Sequence, residues 1–220
     1  GSSAASDVYK RQLPDNVSYA EGAMIEPLAV GLQAAEKAKI IPGESALVMG
    51  CGPIGLVIAL TALAGGCSKV FIADIVSKKL EMCKNYNNLI PIDLNKDNPA
   101  EIVKKNTNNW GANIIFEASG ATKAYDVIFD SICPAGKVVI VGNPMNSIPM
   151  DFATLLTKEI EIKTVFRYAH QYERAINLLS SNKIDVKPMI TDTVAFDDSI
   201  KAFERAAKNL PEDVKIQIQL

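Results

Sequence analysis

The feature that most constrains this chain is a switch of hydrophobic period that repeats between Glu44 and Val141. Short apolar runs rich in β-branched residues alternate there with longer stretches whose apolar residues recur every three or four positions. Period two sends alternate side chains to opposite faces of a strand, whereas a recurrence of three and four makes one face of a helix. Strands that alternate with helices pair in parallel, because each crossover returns the chain to the same end of the sheet. The expected fold is therefore α/β, a Rossmann-type doubly wound parallel sheet of six strands. Strands are predicted at 45–49, 70–74, 89–92, 112–117, 138–141 and 160–165, with crossover helices at 53–63, 77–84, 99–108 and 122–132.

The flanks differ. Residues 18–38 read as a helix interrupted at Glu26-Pro27, since proline lacks the backbone donor that a helix interior needs. After Tyr168 come a helix (171–180), a short strand, a helix (198–209) and a strand (214–220). That last strand alternates Val214, Ile216, Ile218 and Leu220 with Lys215, Gln217 and Gln219, so it needs one buried face and a partner. Left as an edge, it would invite pairing with another copy.

Composition excludes several classes. The 23 Lys and Arg against 25 Asp and Glu give a net charge of −2, with no basic stripe to neutralise a phosphate backbone, so no nucleic-acid partner is expected. The longest apolar stretch, 54–64, falls short of the roughly 20 residues that cross a bilayer, and no membrane partner is expected. Cys51, Cys67, Cys83 and Cys133 form no C-x-x-C pair and sit among apolar neighbours, which fits a reducing, cytoplasmic location. Residues 1–12 (GSSAASDVYKRQ) carry no apolar period and are expected to be disordered, either a leader at a gene boundary or a natural arm.

Chemistry enters directly after the first predicted strand, at Gly50-Cys51-Gly52-Pro53-Ile54-Gly55. In a G-x-G-x-x-G turn, the first glycine permits the sharp strand-to-helix reversal, the second lets the backbone approach a pyrophosphate, and the third lets the helix lie close to the sheet. The helix amides beyond Pro53 then face the anion. The second strand ends at Asp74, where a carboxylate can accept hydrogen bonds from an adenosine ribose. Turn glycines without a ligand, and an S-adenosylmethionine site, are competing readings, the latter disfavoured by the third glycine. Asp74 repels a 2′-phosphate and Ile75 is no arginine, which favours NAD over NADP. Lys78 and Lys79 keep that choice open.

Five motifs occur in one order: Glu26-Pro27-Leu28-Ala29-Val30, the glycine turn, Phe116-Glu117-Ala118-Ser119-Gly120, Gly136-Lys137-Val138-Val139-Ile140-Val141-Gly142, and Val165-Phe166-Arg167-Tyr168. From Leu13 onward the chain resembles the C-terminal three fifths of zinc-dependent medium-chain dehydrogenases, most closely the sorbitol, xylitol and iditol (polyol) dehydrogenases. The resemblance implies that Ile54, Asp74 and Lys79 lie around the pyrophosphate and adenosine ribose, and that Val141, Gly142, Asn143, Val165, Phe166 and Arg167 line the nicotinamide side. Val141 and Val165 as plain strand core, and Lys79 as a solvated helix residue, remain open. Arg167 and Tyr168 match positions that contact a polyol, and Glu26 matches the carboxylate beside the catalytic zinc.

By the same resemblance, residues 13–41 are a segment of the catalytic domain with a connecting helix, 42–168 the NAD-binding domain, and 169–220 a segment that packs on the catalytic domain. The ligands of the family's catalytic zinc belong to a region preceding this sequence. His170, the one histidine, reads as a solvated helix-start residue, so no complete metal site is expected. The resemblance also implies a homodimer or higher homo-oligomer joined near a short strand at 147–151. The expectation is a chain that binds NAD(H), meets a polyol only in a longer form, and oxidises little or none alone. Competing readings are a stand-alone NAD(H)-binding sensor or regulatory module, and a zinc-independent reductase, which Arg167-Tyr168 disfavours.

Overall fold

Residues 10–220 are described by the computed structural model, so most of the expected leader lies outside the described residues. Arg11, within that segment, places its guanidinium 2.9 Å from Glu173. In chain order the main elements are α1 (Tyr19–Gly22), α2 (Ile25–Ala38), β1 (Ser45–Met49), α3 (Pro53–Ala64), β2 (Lys69–Asp74), α4 (Ser77–Leu80), β3 (Leu89–Asp93), α5 (Pro99–Lys105), β4 (Ala112–Glu117), α6 (Tyr125–Ser131), β5 (Ile132–Ile140), α7 (Phe152–Lys158), β6 (Glu161–Thr164), α8 (Tyr172–Ser180), β7 (Ile190–Ala195), α9 (Ser199–Ala207) and β8 (Lys215–Gln219).

Six strands form one sheet in the order β3-β2-β1-β4-β5-β6, and all pair in parallel. The order reverses between β1 and β4, which opens a crevice at the carboxyl ends of those two strands. Every residue of β1 is buried because both sheet faces are covered. Ala46 and Val48 face the core beneath α2, α3 and α8, while Leu47 and Met49 face the core beneath α5 and α6. Buried between sheet and α2, α3 is apolar all round; its one buried hydroxyl, Thr61 Oγ1, donates to Ile58 O at 2.9 Å. A Cβ on Gly31 of α2 would stand 2.7 Å from Val57 O of α3, so the two helix backbones touch where only glycine fits.

Three expectations are corrected. The break in the first helix falls at Ala23 and Met24, between α1 and α2, not at Glu26-Pro27. Pro27 sits in the first turn of α2, where a backbone donor has no intrahelical acceptor and its loss costs nothing. β5 begins at Ile132, six residues early, and ends the preceding helix at Ser131; Ala135 absorbs the irregularity at φ 54°. Residues 147–151 form no strand within the chain, because Asp151 caps α7 by accepting from Ala153 N and Thr154 N. The partner that the final strand needs precedes it: β8 pairs in parallel with β7 across the α9 crossover, in a two-stranded sheet. Arg205 of α9 donates to Asp213 at 2.6 and 2.9 Å and to Asp192 at 2.5 Å, which fastens the helix to both strand ends.

The flanking segments are packed on the sheet's own helices. Val17, Met24 and Leu28 at one end, and Ala175, Ile176 and Leu179 at the other, join one core cluster. Ser18 and Glu21 form a reciprocal capping box on α1. Gln171, buried at the start of α8, donates to Gln33 at 3.2 Å and to Glu36 at 2.9 Å, and Arg174 completes the cluster by pairing with Glu36. The amide of Gln171, with Arg174, holds the Glu36 carboxyl below its ordinary range.

Candidate functional site

The three glycines of the turn do three separate things. Gly50 takes φ 104°, a left-handed conformation that a side chain disfavours, and its N–H still donates to Ala73 O at 2.7 Å. Gly52 faces open space, leaving the backbone bare toward the crevice. A Cβ on Gly55 would collide with Gly50 O, so α3 starts against the sheet only because that atom is missing.

Asp74 closes the turn from the side. Its carboxylate accepts from Cys51 N at 2.7 Å and from Val76 N at 2.8 Å, which binds the glycine turn of β1 to the loop after β2. Each oxygen keeps a lone pair for a hydroxyl donor. Cys51 points away from the crevice into the core, donating to Lys79 O at 3.4 Å. Its hydrogen bond with Cys83, together with burial, pushes the Cys51 thiol up and keeps it protonated. It contributes packing, not a reactive thiolate.

Opposite Asp74 stands Glu117, a residue that sequence reading quoted only inside a motif. Its side chain is fully buried at the end of β4. Oε1 accepts from Ser119 N at 2.8 Å, Ser119 Oγ at 2.5 Å and Gly120 N at 3.0 Å, and its main-chain carbonyl accepts from Val141 N and Gly142 N, both at 2.8 Å. Gly120 and Gly142 lie so close that a Cβ on Gly142 would collide with Gly120 N. The buried carboxylate therefore fixes the loop after β4, while the main-chain carbonyl of the same residue fixes the start of the loop after β5. The signal that could have exposed it is a lone Glu at the end of an otherwise apolar strand, followed by Ser and Gly.

Between these walls lies a cleft of about 810 Å³, lined among others by Gly50, Gly52, Asp74, Ile75, Lys79 and Ala118. A smaller pocket of about 270 Å³ adjoins the same turn and is lined by Gly52, Lys79, Asn209 and Lys215, so the β7–β8 unit reaches the glycine turn. The sequence placed Lys215 on the polar side of an alternating strand but gave no reason to bring it here.

The expected substrate-side residues divide. Tyr168 and Glu26, far apart in the chain, meet: the Tyr168 hydroxyl lies 3.1 Å from Glu26 Oε1 and 2.9 Å from Tyr172 Oη. The Tyr172 hydrogen bond, with Glu26 beside it, raises the Tyr168 ionisation above the usual phenol range. Arg167 does not join them; its guanidinium stacks over the Phe166 ring at 5.6 Å, and both side chains are exposed. Val165 is core, 7% exposed, and Val141 packs against the same cluster, while Gly142 and Asn143 lie beside Gly120. Ile54 also packs on the core at the start of α3. His170 is exposed just before α8, at φ 57°.

Residues 53–181 match the family described as zinc-binding dehydrogenase. The chain belongs to the zinc-binding dehydrogenase family. Within it, the chain is 46% identical over 199 residues to D-xylulose reductase of Morganella morganii, covering 90% of this chain and 58% of that protein. It is 33% identical over 207 residues to sorbitol dehydrogenase of Bacillus subtilis, covering 94% of this chain and 59% of the relative. Among solved structures, 2R,3R-butanediol dehydrogenase from Bacillus subtilis superposes with a TM-score of 0.88 at 26% identity, covering 96% of this chain and 60% of that one. The chain thus spans about three fifths of the length of the relatives it matches. The relatives' names refer to D-xylulose, sorbitol and 2R,3R-butanediol, and sorbitol dehydrogenases are among the enzymes that the motifs resemble.

The family name implies zinc, and the residues present do not fit a catalytic zinc. Such a site takes three protein ligands, usually including histidine. Here Glu26 is hydrogen-bonded to Tyr168, the one histidine is exposed beside α8, and all four thiols are buried elsewhere. Among the described residues no group of three His, Cys, Asp or Glu side chains is arranged to hold a metal ion. The same residues do fit a dinucleotide, since the bare backbone at Gly52 and the cleft beside Asp74 form a cradle that side chains would fill. No described helix is long and apolar enough to cross a membrane.

Proposed function

We propose that this chain provides the NAD(H)-binding part of a polyol dehydrogenase and performs little or no polyol oxidation unaided. The observation that carries the reading is the glycine turn with Asp74 locked beside it: one bare backbone surface and one acidic group facing a single cleft. In this reading the amides from Gly52 into α3, after Pro53, hold the pyrophosphate, with Lys79 and Lys215 supplying positive charge. Asp74 accepts from the adenosine ribose. Val141, Gly142 and Asn143, followed by Val165, Phe166 and Arg167, flank the nicotinamide end through the loops that Glu117 fixes. The bound nicotinamide supplies the hydride acceptor or donor. Glu26, Tyr168 and Arg167 form the polyol-facing corner, and no step is assigned to a metal ion. A homodimer and a cytoplasmic location belong to the same proposal.

Calorimetric titration with NADH and with NADPH, with Asp74→Ala as control, tests it. NADH is expected to bind in the micromolar range, about −8 kcal/mol, and the substitution to weaken it. Absence of binding by either nucleotide would sink the reading. A stand-alone NAD(H) sensor would use the same cleft; polyol-dependent NAD reduction by the full natural reading frame decides against that role.

A further inference from the structure

Sequence alone rests the choice between the two nicotinamide dinucleotides on Asp74, with Lys78 and Lys79 leaving it open. The structure adds a second carboxylate. Asp93 ends β3 in register with Asp74 at the end of β2, so the two leave neighbouring parallel strands on the same face and at the same edge. Asp93 accepts from Ser77 Oγ at 2.6 Å and from Asn95 N and Nδ2, both at 3.1 Å, and pairs with Lys96 at 3.0 Å. Ser77, then Lys96 and Asn95, hold its carboxyl well below the usual carboxylate range, so it is ionised at any working pH. Asn95 in turn donates to Ile75 O at 2.5 Å. The segment 75–77, which follows the ribose carboxylate, is therefore tied to the end of β3 at both of its ends.

This network changes what the loop offers to a 2′-phosphate. Ser77 carries a hydroxyl that would otherwise serve as a neutral donor, and it is committed to Asp93. Lys78 is committed to Glu81 at 3.0 Å. Lys96 is 71% exposed, so its charge is largely screened by water. Lys79 reaches the cleft, as do Lys123 and Asp97. A phosphate near two negative charges would meet two fixed carboxylates and a loop whose hydroxyl donor is spent.

We propose that Asp93 is a positioning residue for coenzyme selectivity: through Ser77 and Asn95 it fixes the loop after Asp74 in a form that excludes a 2′-phosphate, and it adds a second negative charge beside Asp74. The inference rests on the NAD(H) reading above. Lys78 pairs with Glu81, and Lys79 lines the cleft together with Asp74.

The test compares dissociation constants of NADH and NADPH for the unmodified chain, D93N, D93E, D74S and D74S/D93N by calorimetry at low and moderate salt. In D93N the NADH constant is expected to stay within about twofold while the NADPH preference deficit narrows roughly tenfold, more at low salt, as screened charge repulsion requires. D93E keeps the charge and is expected to retain the original ratio. D74S/D93N is expected to bind NADPH better than D74S does. An unchanged ratio in D93N, or equal weakening of both nucleotides by D93N and D93E, would overturn the inference and leave Asp93 a structural residue. Failure of the unmodified chain to bind either nucleotide would overturn the NAD(H) reading and this inference with it.

Discussion

The cleft at the glycine turn and the corner around Tyr168 sit on the same scaffold but are made differently. In the cleft the two carboxylates that shape the walls are held by the protein: Asp74 by two backbone amides, Glu117 by Ser119 and Gly120. In the corner, Phe166 is 84% exposed and Arg167 stacks on it, and the contacts that order Glu26 are a single hydrogen bond to Tyr168. The first region is preorganised, so ligand binding there loses little to ordering. The second presents chemistry without a wall opposite it. On the proposed reading, nucleotide affinity is expected of this segment alone and polyol recognition only with further surface.

Breaking the cleft is expected to have the largest effect. Gly55→Val drives a side chain into Gly50 O and into the contact between α3 and β1; we expect a loss of about 3 kcal/mol or more in chemical denaturation and no measurable NADH binding. Next, Glu117→Gln keeps the shape but turns an amide toward two backbone donors. It is expected to cost on the order of 2–3 kcal/mol in the same assay. NADH affinity should fall with it, because Ser119 and Gly120 lose the acceptor that fixes the loop after β4. If that variant melts normally and binds normally, that loop is not held by the carboxylate.

Alkaline titration separates core from corner. Burial, with Glu44 nearby, pushes the Cys67 thiol up to about 12 from an ordinary 9. A raised folded-state value means that the unfolded chain releases its proton first, so this contribution is intact below pH 9 and is lost between pH 9 and 12. Thermal unfolding followed across that window should show a shallower decline in Cys67→Ala than in the unmodified chain. The smallest effect is expected at the corner. Tyr168→Phe removes the hydroxyl between Glu26 and Tyr172 and should cost under about 1 kcal/mol, with NADH affinity unchanged. A marked loss of NADH binding in that variant would mean the two regions are not separable.

The sheet was legible because its signal is redundant: each strand is a short apolar run, and β1 and β4 fall where those runs put them, residue for residue. The glycine turn was legible because its spacing encodes backbone geometry. What escaped depends on partners distant in sequence. Pro27 looks like a helix breaker until the break at Ala23 makes it a first-turn residue. β5 starts early because β4 offers Ala112 as a partner to Ile132, which no local pattern announces. Glu117 reads as a strand-end acid until its burial is known, and Lys215 as a solvated lysine until β8 is laid beside the glycine turn.

The backbone contact between Gly31 and Val57 has a mechanical consequence. α2 carries Glu26 near its start, and α3 begins at the nucleotide turn; with no side chain between them, the two helices cannot slide or rotate past one another. They behave as one lever. The carboxylate on one helix and the phosphate cradle at the start of the other therefore keep a fixed spacing.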